Sequence, residues 1–139
     1  NYNQGLGYQL VAWRESETLA AVKNLPPGTL IVTNEELLLL YWLDRPSYPL
    51  AEIYWNEPLD RFYRYGDGDL SADPAQRVFH EEGAVLVLFH TIEDQLRAIY
   101  GDWTNERIKT LIDGLQEIYK GMDGAIYRYP KESGNSDYN

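Results

Sequence analysis

The sequence predicts an α/β domain: a three-layer, Rossmann-like or flavodoxin-like sandwich with a mostly parallel sheet and a C-terminal β-hairpin. Three observations carry this expectation. Helical and strand-like segments alternate along the chain. Ala84 to Phe89 is an unbroken apolar run between turn signals, the pattern of a strand covered on both faces. Gly121-Met122-Asp123-Gly124 separates two further strand-like segments, which reads as a hairpin at one sheet edge. With 139 residues the chain is one domain by size, and 44% hydrophobic residues supply a core.

Asn1 to Leu10 is polar and glycine-containing, and reads as a lead-in or tether. The domain proper is expected over 11–130, with a disordered polar tail over 131–139. Val11 to Leu25 reads as a helix, with Leu19, Val22 and Leu25 on one side and Ser16 at a cap or within it. Pro26-Pro27-Gly28 ends it. Thr29 to Thr33 is β-branched and reads as a buried strand. Asn34 is placed to cap the next helix, with Glu35 and Glu36 in its first turn, where the helix dipole favours them. Leu37 to Leu43 continues that helix, and Asp44-Arg45-Pro46 stops it. These seven residues are far short of the roughly 20 that cross a bilayer. A helix apolar on all sides is expected to be buried, between the sheet and a neighbouring helix.

Tyr48 to Tyr54 is a possible second strand, which Pro49 assigns to an edge or a strand start. Trp55 to Asp73 is irregular and rich in aromatic and acidic residues. Asp73 and Pro74 form an N-cap and first-position pair for a helix to Glu82, ended by Gly83. After the Ala84–Phe89 strand, Thr91 is expected to cap a helix from Ile92 to Tyr100, and Thr104 a helix from Asn105 to Leu115. Gln116 to Lys120 and Ala125 to Tyr129 are the hairpin strands.

The charge balance narrows the partners. Twenty-two acidic against twelve basic residues give a net charge of −10 and a pI of about 4.5. Such a surface repels phosphate backbones, and Lys and Arg are scattered singly, so nucleic acid is not an expected partner. The absence of cysteine excludes disulfides, thiolate catalysis and Cys-based zinc sites.

Few residues carry chemistry. The chain has no G-x-S-x-G elbow. His80 and His90 are the possible bases. His90 follows the core strand at its carboxyl end, where α/β folds place ligand sites, though it equally serves to close a strand. His80, beside Glu81 and Glu82, reads as an exposed helix face. Gly5-Leu6-Gly7 precedes any strand and lacks the third glycine of a dinucleotide fingerprint. Glu35 and Glu36 stand where a phosphate would sit, which argues against a nucleotide cofactor, and none is expected. "GDGDLSAD" offers Asp67, Asp69 and Asp73 as oxygen ligands suited to calcium, without the spacing of an EF-hand; a solvated acidic loop is the plainer account. Trp55, Tyr54, Tyr63 and Tyr65, beside Glu57, Asp60 and Asp67, are candidates for stacking on a sugar, with His90 as a further contact. Tyr and Trp are also ordinary core residues.

One stretch carries a family resemblance. "GYQLVAWRESETLAAVKNLPPGTLIVTNEELLLLYWLDRP" resembles a segment that follows the last membrane helix in bacterial GT-C type glycosyltransferase-like proteins, relatives of the protein O-mannosyltransferases. The shared features are Gly7-Tyr8, Trp13 with Ser16, Leu25-Pro26, a strand ending in Asn34, and a helix ending in Arg45-Pro46. "AVLVLFH" is similar to the middle strand of that tail and "GAIYRY", Gly124 to Tyr129, to its closing strand. The resemblance implies an extracytoplasmic soluble domain, tethered by membrane helices outside this chain. Its expected partner is the membrane-embedded part of the same polypeptide, and with it a glycan or acceptor. The family's catalytic acids lie in an early loop that nothing here matches, so no catalytic residue is carried over. An initial Asn instead of Met agrees with a fragment. The expected function is therefore a non-catalytic accessory domain of a membrane glycosyltransferase. The alternatives are a free-standing carbohydrate- or small-ligand-binding module using residues 54–69, and a small α/β hydrolase using His90.

Overall fold

The computed structural model describes residues 13–50 and 74–130. Within these residues helices and strands alternate as far as β3 and then come in pairs: α1 (Glu17–Lys23), β1 (Ile31–Thr33), α2 (Glu36–Leu43), β2 (Tyr48–Pro49), α3 (Pro74–Glu81), β3 (Val85–Phe89), α4 (Ile92–Tyr100), α5 (Thr104–Ile112), β4 (Gln116–Lys120) and β5 (Gly124–Arg128). A 3₁₀ turn, Gly101–Trp103, joins α4 to α5.

The strands form one sheet in the order β2-β1-β3-β5-β4. β1 runs parallel to β2 and to β3, with Thr33 opposite Pro49 and Val87. β5 runs antiparallel to β3 and to β4, with Phe89 opposite Gly124 and Val85 opposite Arg128. The sheet is therefore mixed, with as many antiparallel as parallel pairings, where a mostly parallel one was expected. The cause is which hairpin strand docks. A tight turn forces β4 and β5 antiparallel. Had β4 met β3, only one pairing would be reversed.

Composition explains the choice. β5 presents Ala125 and Tyr127 to one face and Ile126 to the other, and all three are buried. β4 is Gln-Glu-Ile-Tyr-Lys and largely exposed. The apolar strand takes the inside position. The charged strand becomes the edge, with an irregularity between Glu117 and Tyr119 that blunts it against further pairing. At the other edge Pro49 sits in a two-residue strand, as its missing N–H requires.

The two crossovers run in opposite directions across the sheet. From β1 the chain passes through α2 to β2 on one side. From β2 it returns through α3 to β3 on the other. Crossovers of one hand then require α2 and α3 on opposite faces. The core divides accordingly. On one face Leu19 and Val22 of α1 and Leu39 of α2 pack on Ile31, Val85, Val87, Phe89 and Ile126. On the other, Val78 and Phe79 of α3, Leu96 of α4 and Leu111 of α5 pack on Val32, Leu86, Leu88, Ala125 and Tyr127. Every residue of β3 is buried, as its continuous apolar run predicts.

Local chemistry sets the helix ends. Ser16 is the N-cap of α1, its hydroxyl accepting from the Leu19 N–H at 2.9 Å, so the expected helix from Val11 is interrupted there. The C-terminal end of α1 is held by Arg45. Its guanidinium donates to the carbonyls of Val22 (2.7 Å), Leu25 (3.3 Å) and Pro26. A cation at this end also meets the negative pole of the helix. Asp44 ends α2 in the left-handed conformation (φ 53°), its N–H bonded to Leu39 and Leu40 carbonyls, and Pro46 blocks continuation.

Helix α2 departs from expectation. It was expected to be buried all round, but only Leu39 is fully buried, with Leu38, Trp42 and Leu43 packed beside it. Leu37, Leu40 and Tyr41 are 74%, 49% and 80% exposed. These three sit at spacings i, i+3 and i+4, which form one stripe on a helix. The sheet covers one side of α2, and no described residue covers the other.

Candidate functional site

The reversal of crossover direction leaves a gap between the carboxyl ends of β1 and β3, the position at which open α/β sheets bind ligands. Here the gap is closed by the chain itself. Asn34, directly after β1, is buried. Its Oδ1 accepts from the Phe89 N–H at 2.9 Å. Its Nδ2 donates to the Phe89 carbonyl (3.3 Å), Thr91 Oγ1 (3.1 Å) and Gln95 Oε1 (3.0 Å). The side-chain amide thus continues the ladder where the two strands diverge. Asn34 was expected to cap α2. Glu35 occupies that position instead, without a side-chain cap, because the Asn34 amide is consumed across the sheet.

Glu35 lies on the outer side of this bridge. Thr91 Oγ1 donates to its carboxylate, and Gln95 Nε2 donates to it at 3.3 Å. Burial pushes the Glu35 carboxyl above the ordinary glutamate range; the Thr91 hydrogen bond opposes the rise, the neighbouring Glu36 charge adds to it, and Gln95 opposes it. Thr91 was expected to cap α4. It does stand at the N-cap but its hydroxyl goes to Glu35, so the helix begins without that bond.

A second polar centre lies at the same end of the sheet. Asp123, in the hairpin turn, accepts from Thr18 N–H (3.1 Å), Thr18 Oγ1 (2.7 Å) and Ser16 Oγ. Burial alone would raise the Asp123 carboxyl, but the Ser16 and Thr18 hydrogen bonds outweigh it and hold the group below the usual range. Glu17 reaches back to accept from the Met122 N–H at 2.9 Å. Gly124 is required by this docking: a Cβ there would stand 2.8 Å from the Leu88 carbonyl and 2.9 Å from Thr18 Oγ1.

His90 does lie at the carboxyl end of β3, as predicted. It is exposed, and its backbone is tied down by N–H donation to the Asp123 carbonyl (2.9 Å) and by acceptance from Glu93 N–H (3.0 Å). Ser16, which bonds the same Asp123, has its hydroxyl committed to that carboxylate and to the helix cap. That is a capping arrangement, not an activated nucleophile. His80 is not the exposed residue expected: it is half-buried, with its ring 4.3 Å from that of Tyr129.

The candidate sugar-stacking residues Trp55, Tyr54, Tyr63 and Tyr65, and the candidate calcium ligands Asp67, Asp69 and Asp73, lie outside the described residues. Among the described residues no group of three or more His, Asp or Glu is arranged to hold a metal ion. No described helix is long and apolar enough to cross a membrane.

Three features escaped the sequence reading. Gln95 joins the Asn34–Glu35 bridge from one turn into α4, a contact that only the register of β1 on β3 creates. The exposed stripe of α2 was hidden because its residues are as apolar as the buried ones. Trp103, 68% exposed on the turn between α4 and α5, falls between the two expected helices, in residues to which the sequence assigned no role. Comparison with protein-family models, curated proteins and solved structures gives no match to this chain.

Proposed function

We propose that this chain is a non-catalytic accessory domain that works by docking, and that its partner is the membrane-embedded part of a GT-C type glycosyltransferase-like polypeptide. The observation that carries the docking reading is the exposed Leu37, Leu40 and Tyr41 stripe on α2. Burying a leucine contributes about 1.5–3 kcal/mol, so a folded domain that leaves two of them and a tyrosine on one helix face has apolar area reserved for a partner. Helix anchors at i, i+3 and i+4 are a recurring recognition mode. The acidic net charge keeps such a domain off anionic headgroups while it stands at an extracytoplasmic membrane face.

The family part of the reading rests on the residues of the resemblance and what each does. Ser16 caps α1, Arg45 holds the carbonyls of Val22, Leu25 and Pro26, Asn34 bridges β1 to β3, and Trp13 packs edge-on against Phe89 at 5.3 Å. They form one interlocked structural set, as expected of motifs that preserve a fold and not a reaction. The β2-β1-β3 order, with two parallel crossovers, supports a Rossmann-like or flavodoxin-like sandwich in which the hairpin replaces later parallel strands.

The test is the coding sequence upstream of Asn1. Several apolar stretches of about 18 residues or more, with an acidic pair in the first outside loop, are expected. A start codon directly before Asn1 overturns the family reading. For the isolated chain, incubation with a lipid-linked sugar donor and an acceptor is expected to give no transfer, and turnover would overturn the non-catalytic assignment.

A further inference from the structure

A groove of about 470 Å³ lies on the other helical layer, between α4, the 3₁₀ turn and α5, lined by Ile99, Tyr100, Trp103, Glu106, Arg107 and Thr110. Its construction is specific. Gly101 has φ 53°, which lets the chain leave α4 abruptly. The turn is then locked, with Gly101 N–H donating to the Arg97 carbonyl and the buried Thr104 donating through Oγ1 to the Gly101 carbonyl at 2.7 Å. The result is an indole 68% exposed on an ordered turn. Trp103 is not among the described side chains packed on the adjoining core, of which Leu96 and Leu111 are buried members.

The polar groups beside the indole are also arranged. The Arg107 guanidinium lies 5.1 Å from the centroid of the Tyr100 ring, which restricts its position. Glu106 is its neighbour in sequence and lines the same groove. Glu106 and Arg107 bring one acceptor and one donor of opposite charge to the lining, with no net charge between them. They suit a neutral ligand rich in hydroxyls, which give to the carboxylate and accept from the guanidinium. Such a ligand also has to cover an amphipathic aromatic face, and a pyranose ring does so with its C–H side.

We propose that the Trp103 groove is a binding subsite for an uncharged pyranose sugar. Trp103 is the stacking platform, and Glu106 and Arg107 hold the hydroxyls. The assignment stands on the groove alone and holds whether or not the chain belongs to a transferase.

The experiment is an amide and indole NMR titration of the whole chain with the methyl glycosides of glucose, galactose, mannose and N-acetylglucosamine. The Trp103 indole signal is assigned by its loss in Trp103→Phe. The expected result is a saturable shift of the Trp103 indole and the Arg107 side-chain N–H with at least one glycoside. Trp103→Ala, judged by the remaining backbone shifts with an unchanged melting temperature, is expected to weaken it by tenfold or more, and Glu106→Gln to weaken it while leaving the stacking shift in place. No Trp103 shift with any of the four glycosides overturns the proposal. So does a shift that Trp103→Ala leaves saturating as before.

Discussion

Asn34 and Glu35 are adjacent in sequence and opposite in consequence. Asn34 closes the buried gap between β1 and β3 with both ends of its amide. Asn34→Ala leaves the Phe89 N–H and carbonyl without that partner, and a loss of about 3 kcal/mol is expected from the urea-unfolding midpoint. Glu35 carries a carboxyl whose proton is held more tightly in the folded chain than in the unfolded one, burial being the main cause. A raised acid contributes stability that is complete below its unfolded value of about 4.5 and is lost as pH rises through the folded value. Glu35→Gln keeps an acceptor for Thr91 and removes the charge. The variant is expected to unfold at higher urea than the parent at neutral pH, with the difference vanishing in acid below the ordinary glutamate range. An advantage that persists unchanged in acid would mean that the carboxylate charge is not its source.

At the scale of elements, α2 and the hairpin teach different lessons. The hydrophobic run of α2 was legible as a helix, and its length excluded a membrane span. Which of its sides faces the core was not legible, since periodicity cannot discriminate among Leu37, Leu38, Leu39 and Leu40 when all are leucine. The triple variant Leu37→Ser, Leu40→Ser, Tyr41→Ser is expected to leave the melting temperature within a few degrees, because those side chains contact little in the folded chain. A large fall would show that the stripe is part of the core. The hairpin was read within one residue from its glycines. Its docking on α1 was not, because the Asp123 bonds to Ser16 and Thr18 span more than a hundred residues. Gly124→Ala pushes a methyl group into the Leu88 carbonyl and Thr18, and a cost of about 1–3 kcal/mol in chemical denaturation is expected.

For the whole molecule, β3 and its following helix were legible because their patterns are local and unbroken. The strand order was not, since the choice of β5 over β4 as the partner of β3 depends on two faces being apolar at once. The net charge of −10 also acts at this scale. Like charges destabilise a compact chain, and added salt screens them over about 10 Å at 0.1 M. The urea midpoint at neutral pH is therefore expected to rise with sodium chloride; a fall would mean that favourable ion pairs outweigh the repulsion. The placement of β5 reaches into biosynthesis. Of the described strands β5 is made after all the others and lies inside the sheet, so a nascent chain that has reached only Leu115 holds β3, five buried apolar residues, as an open edge. Until Gly124 to Arg128 leave the ribosome tunnel, that edge is a template for other chains, and products truncated before Gly124 are expected to aggregate where a chain carrying β5 does not.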